Sequence, residues 1–139
     1  MIALAAFTTC LAFVILALWH FCMAFLPHTG ESTAVPSVDG KPLFVPTRTA
    51  TLLVGVALLG CAALVATTAG LLRTGVPHRA LSWISYALAL GLTARAIGDF
   101  RYVGLFKKVR GSPFARMDTR FYSPLCLLLA AGVSLVAGQ

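Results

Sequence analysis

Four uninterrupted apolar stretches take up most of this chain, and they constrain its fold more than any motif in it. They run over residues 2–26, 50–72, 80–98 and 121–138, with lengths of 25, 23, 19 and 18 residues. At about 1.5 Å rise per residue they reach roughly 27–38 Å, against a hydrocarbon core of about 30 Å. Only His20 and Arg95 break them with a basic side chain. None of the four has a continuous polar face to show to water, which argues against a soluble four-helix domain. The 59% hydrophobic and 11% charged content points the same way. The expectation is a single-domain all-α membrane protein over residues 1–139: a bundle of four transmembrane helices with a basic amphipathic segment between helices three and four.

The first stretch is not expected to be a signal peptide. No Lys or Arg precedes it, it is too long for such a core, and no small-x-small cleavage site follows Leu26. Cys10, Cys22, Cys61 and Cys126 all lie within spans without a Cys-x-x-Cys pair, so they read as small packing residues. Pro27 ends span one. The loop to Thr49 holds Pro36, Pro42, Pro46 and an Asp39-Gly40 turn signal, so a stiff loop or short hairpin is expected. Arg73 to Arg79, with Gly75 and Pro77, makes spans two and three an antiparallel hairpin. Ala62-x3-Ala66-x3-Gly70, Ala87-x3-Gly91 and Ala130-x3-Ser134-x3-Gly138 offer small faces for close helix approach.

Loop charge sets the expected orientation. Loops one and three carry Lys41, Arg48, Arg101, Lys107, Lys108, Arg110, Arg116 and Arg120, whereas the other side has Arg73 and Arg79. That asymmetry puts loops one and three in the cytoplasm and both termini outside.

Chemistry-bearing groups gather in residues 95–126, RAIGDFRYVGLFKKVRGSPFARMDTRFYSPLC. Arg95 and Asp99 stand four apart, so on a continuing helix they share a face and pair. A lone charge in lipid costs about 2.5–3.5 kcal/mol on insertion scales, which favours pairing. The pair reads as a structural lock, or as half of an anion or proton site. His20 lies about 9 Å inside the same end of the bundle by helical rise, and imidazole exchanges protons near neutrality. With Asp118, Arg120 and Tyr122 these make the candidate polar site: His20, Arg95, Asp99, Asp118, Arg120 and Tyr122. In 99–110, Tyr102, Leu105, Phe106 and Val109 follow helical spacing, and Arg101, Lys107, Lys108 and Arg110 fall away from them. That predicts an interfacial helix whose Arg101, Tyr102, Phe106, Lys107, Lys108 and Arg110 meet lipid headgroups or a partner. Pro124 after Ser123 reads as the first turn of span four. No metal site is expected, because no His-x3-His pair or carboxylate lies near His20, and His28 and His78 fall on opposite sides of the membrane.

The run RAIGDFRYVG, with Phe106-Lys107, Phe114-Ala115-Arg116 and DTRFYSPLC from Asp118 to Cys126, resembles a bacterial family of small membrane proteins known as domain of unknown function 3995. Phe44-Val45-Pro46 resembles its entry to the second span, and His20 its first-span histidine. Phe21-Cys22-Met23-Ala24-Phe25 departs from the Trp and small residues that follow that histidine in the family. The resemblance implies the four-span fold and no activity or cofactor. The function expected is a non-enzymatic accessory or lipid- and partner-binding membrane protein. The alternative is a membrane enzyme or small-solute carrier using His20, Arg95, Asp99 and Asp118. Expected partners are anionic lipid headgroups and a membrane protein, and not nucleic acid, since the basic loop is tethered by spans at both ends.

Overall fold

The computed structural model describes residues 2–26, 34–38 and 41–139. Four helical rods account for most of it: α1 (Ile2–Phe25), α2 (Arg48–Thr68), α3 (His78–Ile97) and a fourth that runs from Pro113 to Ala137. The fourth has three parts, α4 (Pro113–Met117), a π turn (Asp118–Tyr122) and α5 (Ser123–Ala137). All four rods are long and apolar enough to cross a membrane.

Each rod buries one narrow face of mostly small residues. In α1 the buried positions are Ala6, Thr9, Phe13, Ala17 and Ala24, and in α3 Leu81, Ser85, Ala89 and Ala96, spaced at helical intervals. The bulk of the apolar surface points the other way: Phe7, Leu53, Trp83, Leu90 and Leu128 are each more than 60% exposed. An outward-facing apolar coat on every rod suits hydrocarbon rather than water. The rods pack chiefly as two pairs, α1 along α2 and α3 along α5, joined through α1–α5 and a lighter α2–α3 contact. Phe13, Val65, Val133 and Val136 sit at the centre with no exposed surface.

Close approach occurs at Gly138 of the expected runs, where a methyl would crowd the Tyr86 hydroxyl, and at Gly55 and Gly132 outside them. A methyl at Gly55 would strike the Phe21 ring, and one at Gly132 would strike the Thr9 hydroxyl. Ala87 and Gly91 are exposed, and a methyl at Gly91 would meet open space among the described residues. Polar links are few. Thr68 Oγ1 and Ser85 Oγ lie 3.0 Å apart between α2 and α3, and Cys10 Sγ donates to the Ala62 carbonyl at 3.4 Å.

The first connection contains the expected hairpin. Ser37–Val38 pairs antiparallel with Lys41–Pro42. The Asp39-Gly40 turn, Pro27 and His28 lie outside the described residues. Thr47 starts α2 by accepting the Ala50 amide at 3.1 Å.

The third connection departs from expectation, because residues 99–110 form turns and no helix. The helix stops at Ile97 because Gly98 takes φ +91°, after which Phe100 (+60°) and Gly104 (+93°) also adopt positive φ. The chain then doubles back on the end of α3, with the Leu105 amide on the Ala96 carbonyl at 2.8 Å. At the crossing the Gly98 and Gly104 backbones approach so closely that a side chain on either would collide with main-chain atoms of the other limb. Both their φ values and their contact thus require glycine. Gly98→Ala or Gly104→Ala should lower the midpoint of thermal unfolding in detergent clearly. Gly91→Ala, in open space, should change stability by no more than about 1 kcal/mol; equal midpoints for all three would contradict the crossing.

Candidate functional site

The geometry at the head of the fourth rod starts with Ser112 and Pro113. Ser112 Oγ accepts the Ala115 amide at 3.1 Å and Pro113 occupies the first helical turn, where its missing N–H costs nothing. The same Ser-Pro signature recurs at Ser123-Pro124, which the sequence reading took as the start of the span. Here it falls inside a continuing helix instead. Pro124 cannot donate, and its ring crowds the preceding turn. The chain widens into the π turn just ahead of it, with the Ser123 amide reaching back five residues to the Asp118 carbonyl.

That widening sets Asp118 and Ser123 side by side at the core. Asp118 has no exposed surface. Its Oδ1 accepts from Arg95 Nη2 at 2.8 Å and from Ser123 Oγ at 3.3 Å. Its Oδ2 accepts from the Gly104 amide at 2.7 Å and from Lys107 Nζ at 3.0 Å. Lys107 is 1% exposed and also donates to the Gly104 carbonyl and to Thr119 Oγ1, both at 2.7 Å. All three ammonium hydrogens are therefore used. One carboxylate thus ties α3, the connector and the fourth rod together, with four donors converging on it.

Two sequence expectations are corrected here. Arg95 pairs with Asp118, 23 residues away, and not with Asp99. The i,i+4 relation fails because Gly98 ends the helix before Asp99 can share its face. Asp99 Oδ1 instead accepts the amides of Arg101, Tyr102 and Val103 at 2.9, 2.7 and 2.9 Å. The amide of Val103, followed by those of Arg101 and Tyr102, holds the Asp99 carboxyl below the usual carboxylate range. Lys107, expected at the lipid headgroups, points inward and is consumed by the clasp.

The other candidate residues disperse. His20 Nδ1 donates to the Leu16 carbonyl of its own helix at 2.7 Å, and no hydrogen bond joins His20 to Arg95, Asp99 or Asp118 among the described residues. Tyr122 packs its ring 6.1 Å from Phe114. Arg101 lies over the Tyr102 ring at 5.0 Å, Phe106 lies against Phe100 at 6.5 Å, and Lys108 is exposed. Arg110 and Arg120 join Arg116, Thr119, Leu105 and Ala115 around a cleft of about 420 Å³. No spacing rule gives Gly104, Thr119, Ser123 or Arg116 a role at the site. The one legible hint was the doubled Ser-Pro signature, since only one copy can begin the helix.

A family model described as "Protein of unknown function (DUF3995)" matches residues 13–133. No curated protein and no solved structure matches the chain.

Removing the shared acid should be the most damaging change in the clasp. Asp118→Ala leaves Lys107 buried without a counter-charge and should cost about 3–5 kcal/mol. Lys107→Met keeps Asp118 on Arg95, Ser123 and the Gly104 amide and should cost less; the reverse order in detergent unfolding would contradict the clasp. Asp99 makes a separate, pH-dependent contribution. Its lowered carboxyl stabilises the 99–103 turn above the unfolded value of about 3.9, and that support is lost as pH falls through the lower folded value. Amide shifts of Arg101, Tyr102 and Val103 should therefore titrate with a midpoint below about 3.9. A midpoint at or above it would overturn this assignment.

Proposed function

The chain belongs to the family of proteins of unknown function DUF3995, its four long helices are apolar enough to cross a membrane, and we propose that it is a non-enzymatic accessory protein of the bacterial inner membrane. Its basic third connection meets anionic lipid headgroups and helps seat a membrane-protein partner there. The single observation that carries this reading is the division of labour among the charges. Lys107 and Arg95 are drawn onto Asp118, whereas Arg101, Lys108, Arg110, Arg116 and Arg120 remain exposed with no carboxylate against them among the described residues. Buried charges that satisfy one another serve the fold. Exposed like charges at the end of two spans attract an anionic surface.

The alternative, an enzyme or carrier working through His20, Arg95, Asp99 and Asp118, needs those four groups around one cavity. They have separate hydrogen-bond partners, except that Arg95 and Asp118 bind each other. In the proposed orientation loops one and three are cytoplasmic and both termini are outside, because the basic residues concentrate in those loops.

Two measurements test this. An alkaline phosphatase fused after Gln139 should be active, and strong activity from a cytoplasm-only reporter there would reverse the orientation. The purified protein, titrated in native mass spectrometry with phosphatidylglycerol or phosphatidylcholine, should retain phosphatidylglycerol preferentially. Equal retention of the two lipids would sink the headgroup reading.

A further inference from the structure

Three arginines from three different local structures converge on one cleft. Arg110 comes from the connector, Arg116 from α4 and Arg120 from the π turn, and Thr119, Leu105 and Ala115 complete the wall. Two of the guanidinium groups are held from behind by main-chain carbonyls: Arg110 Nε donates to Lys107 at 3.2 Å, and Arg116 Nη1 to Gly111 at 3.3 Å. Each keeps most of its donors unspent. Arg120 makes no hydrogen bond or ion pair among the described residues, and no carboxylate pairs with any of the three. Both described acids are committed elsewhere, Asp118 to the clasp and Asp99 to its turn. Like charges gathered around a common space repel one another unless an anion occupies it.

Thr119 adds direction. Its Oγ1 accepts from Lys107 Nζ at 2.7 Å, so its own hydroxyl hydrogen is left to donate, and it donates to no group among the described residues. Among the described residues, the cleft therefore offers donors and no free carboxylate acceptor. Planar guanidinium forks match the oxygens of a phosphate, which can accept from two or three of them at once.

We propose that this cleft is a specific site for the phosphate of an anionic phospholipid, with Arg110, Arg116 and Arg120 as its charged ligands and the Thr119 hydroxyl as a further donor. The site rests on the headgroup reading above and narrows it from a basic surface to one open cleft. Its position selects a lipid over a soluble phosphate. Arg120 directly precedes Phe121, and Phe121, Leu128 and Leu135 form an exposed apolar stripe at seven-residue spacing along the membrane-length helix. A phosphate in the cleft is thus held by the same membrane-length helix that carries this apolar stripe.

The test compares two variants of the full-length protein that each lose two exposed positive charges. Arg116→Gln/Arg120→Gln empties the cleft of two ligands, whereas Arg101→Gln/Lys108→Gln leaves it intact. Thermal unfolding of both should match the parent, since neither touches the Asp118 clasp. In native mass spectrometry the cleft variant should bind phosphatidylglycerol roughly 30-fold more weakly than the parent, and the control variant should differ from the parent far less. Equal losses in the two variants would overturn the cleft while leaving a diffuse basic surface standing. Equal binding of phosphatidylglycerol and phosphatidylcholine by the parent would overturn both. Displacement of phosphatidylglycerol by inorganic phosphate, reproduced by direct phosphate binding without lipid, would reassign the cleft to a soluble anion and overturn the lipid assignment.

Discussion

The buried carboxylate of Asp118 is the interaction on which the rest of the polar architecture depends. A charge with no exposed surface at the end of a membrane bundle is tolerable only when it is neutralised and its lone pairs are filled. Arg95 and Lys107 supply the charge, and Ser123 and the Gly104 amide fill the remaining positions. Those donors come from α3, from the connector and from the fourth rod, so satisfying one side chain orders three segments at once. The connector needs this tether because it has no helix of its own to hold its shape.

Each donor imposes a backbone demand, and the demands explain one another. The Gly104 amide reaches Asp118 only because the connector doubles back at the Gly98–Gly104 crossing. Asp99 supports that crossing by collecting the three amides that the turn leaves without helical partners. On the other side, the π turn ahead of Pro124 brings Ser123 onto the same carboxylate. A proline that would break a regular helix is thereby absorbed where the widened turn is useful.

The clasp also determines what the exterior presents. By drawing Lys107 inward and leaving Arg110, Arg116 and Arg120 outside, it separates a buried ion-paired cluster from an exposed basic rim. The cluster of Arg95, Lys107 and Asp118 keeps one excess positive charge, and Arg95 Nη1 is buried without a partner among the described residues. The positive field at this end of the bundle is therefore a product of the fold as well as of composition.

The number of membrane-length helices was legible in the sequence, because hydropathy and helical rise are local properties and the surrounding lipid rewards them residue by residue. The fourth helix, however, begins at Pro113 and not at residue 121. The gathering of polar residues in 95–126 was legible too, and so was the hairpin of the first connection. The pairing of those polar residues was not legible. Arg95 has an acid four residues on and another 23 residues on, and spacing alone favours the nearer. The positive φ at Gly98 removes the nearer one, and the packing of α3 along α5 delivers the farther one. Lys107 likewise belongs to a basic run that reads as surface, until the doubled-back connector turns it toward a carboxylate contributed by another rod. Sequence determined where the charges lie along the chain. The tertiary structure decided which of them meet, since buried ion pairing depends on long-range approach that no local period encodes.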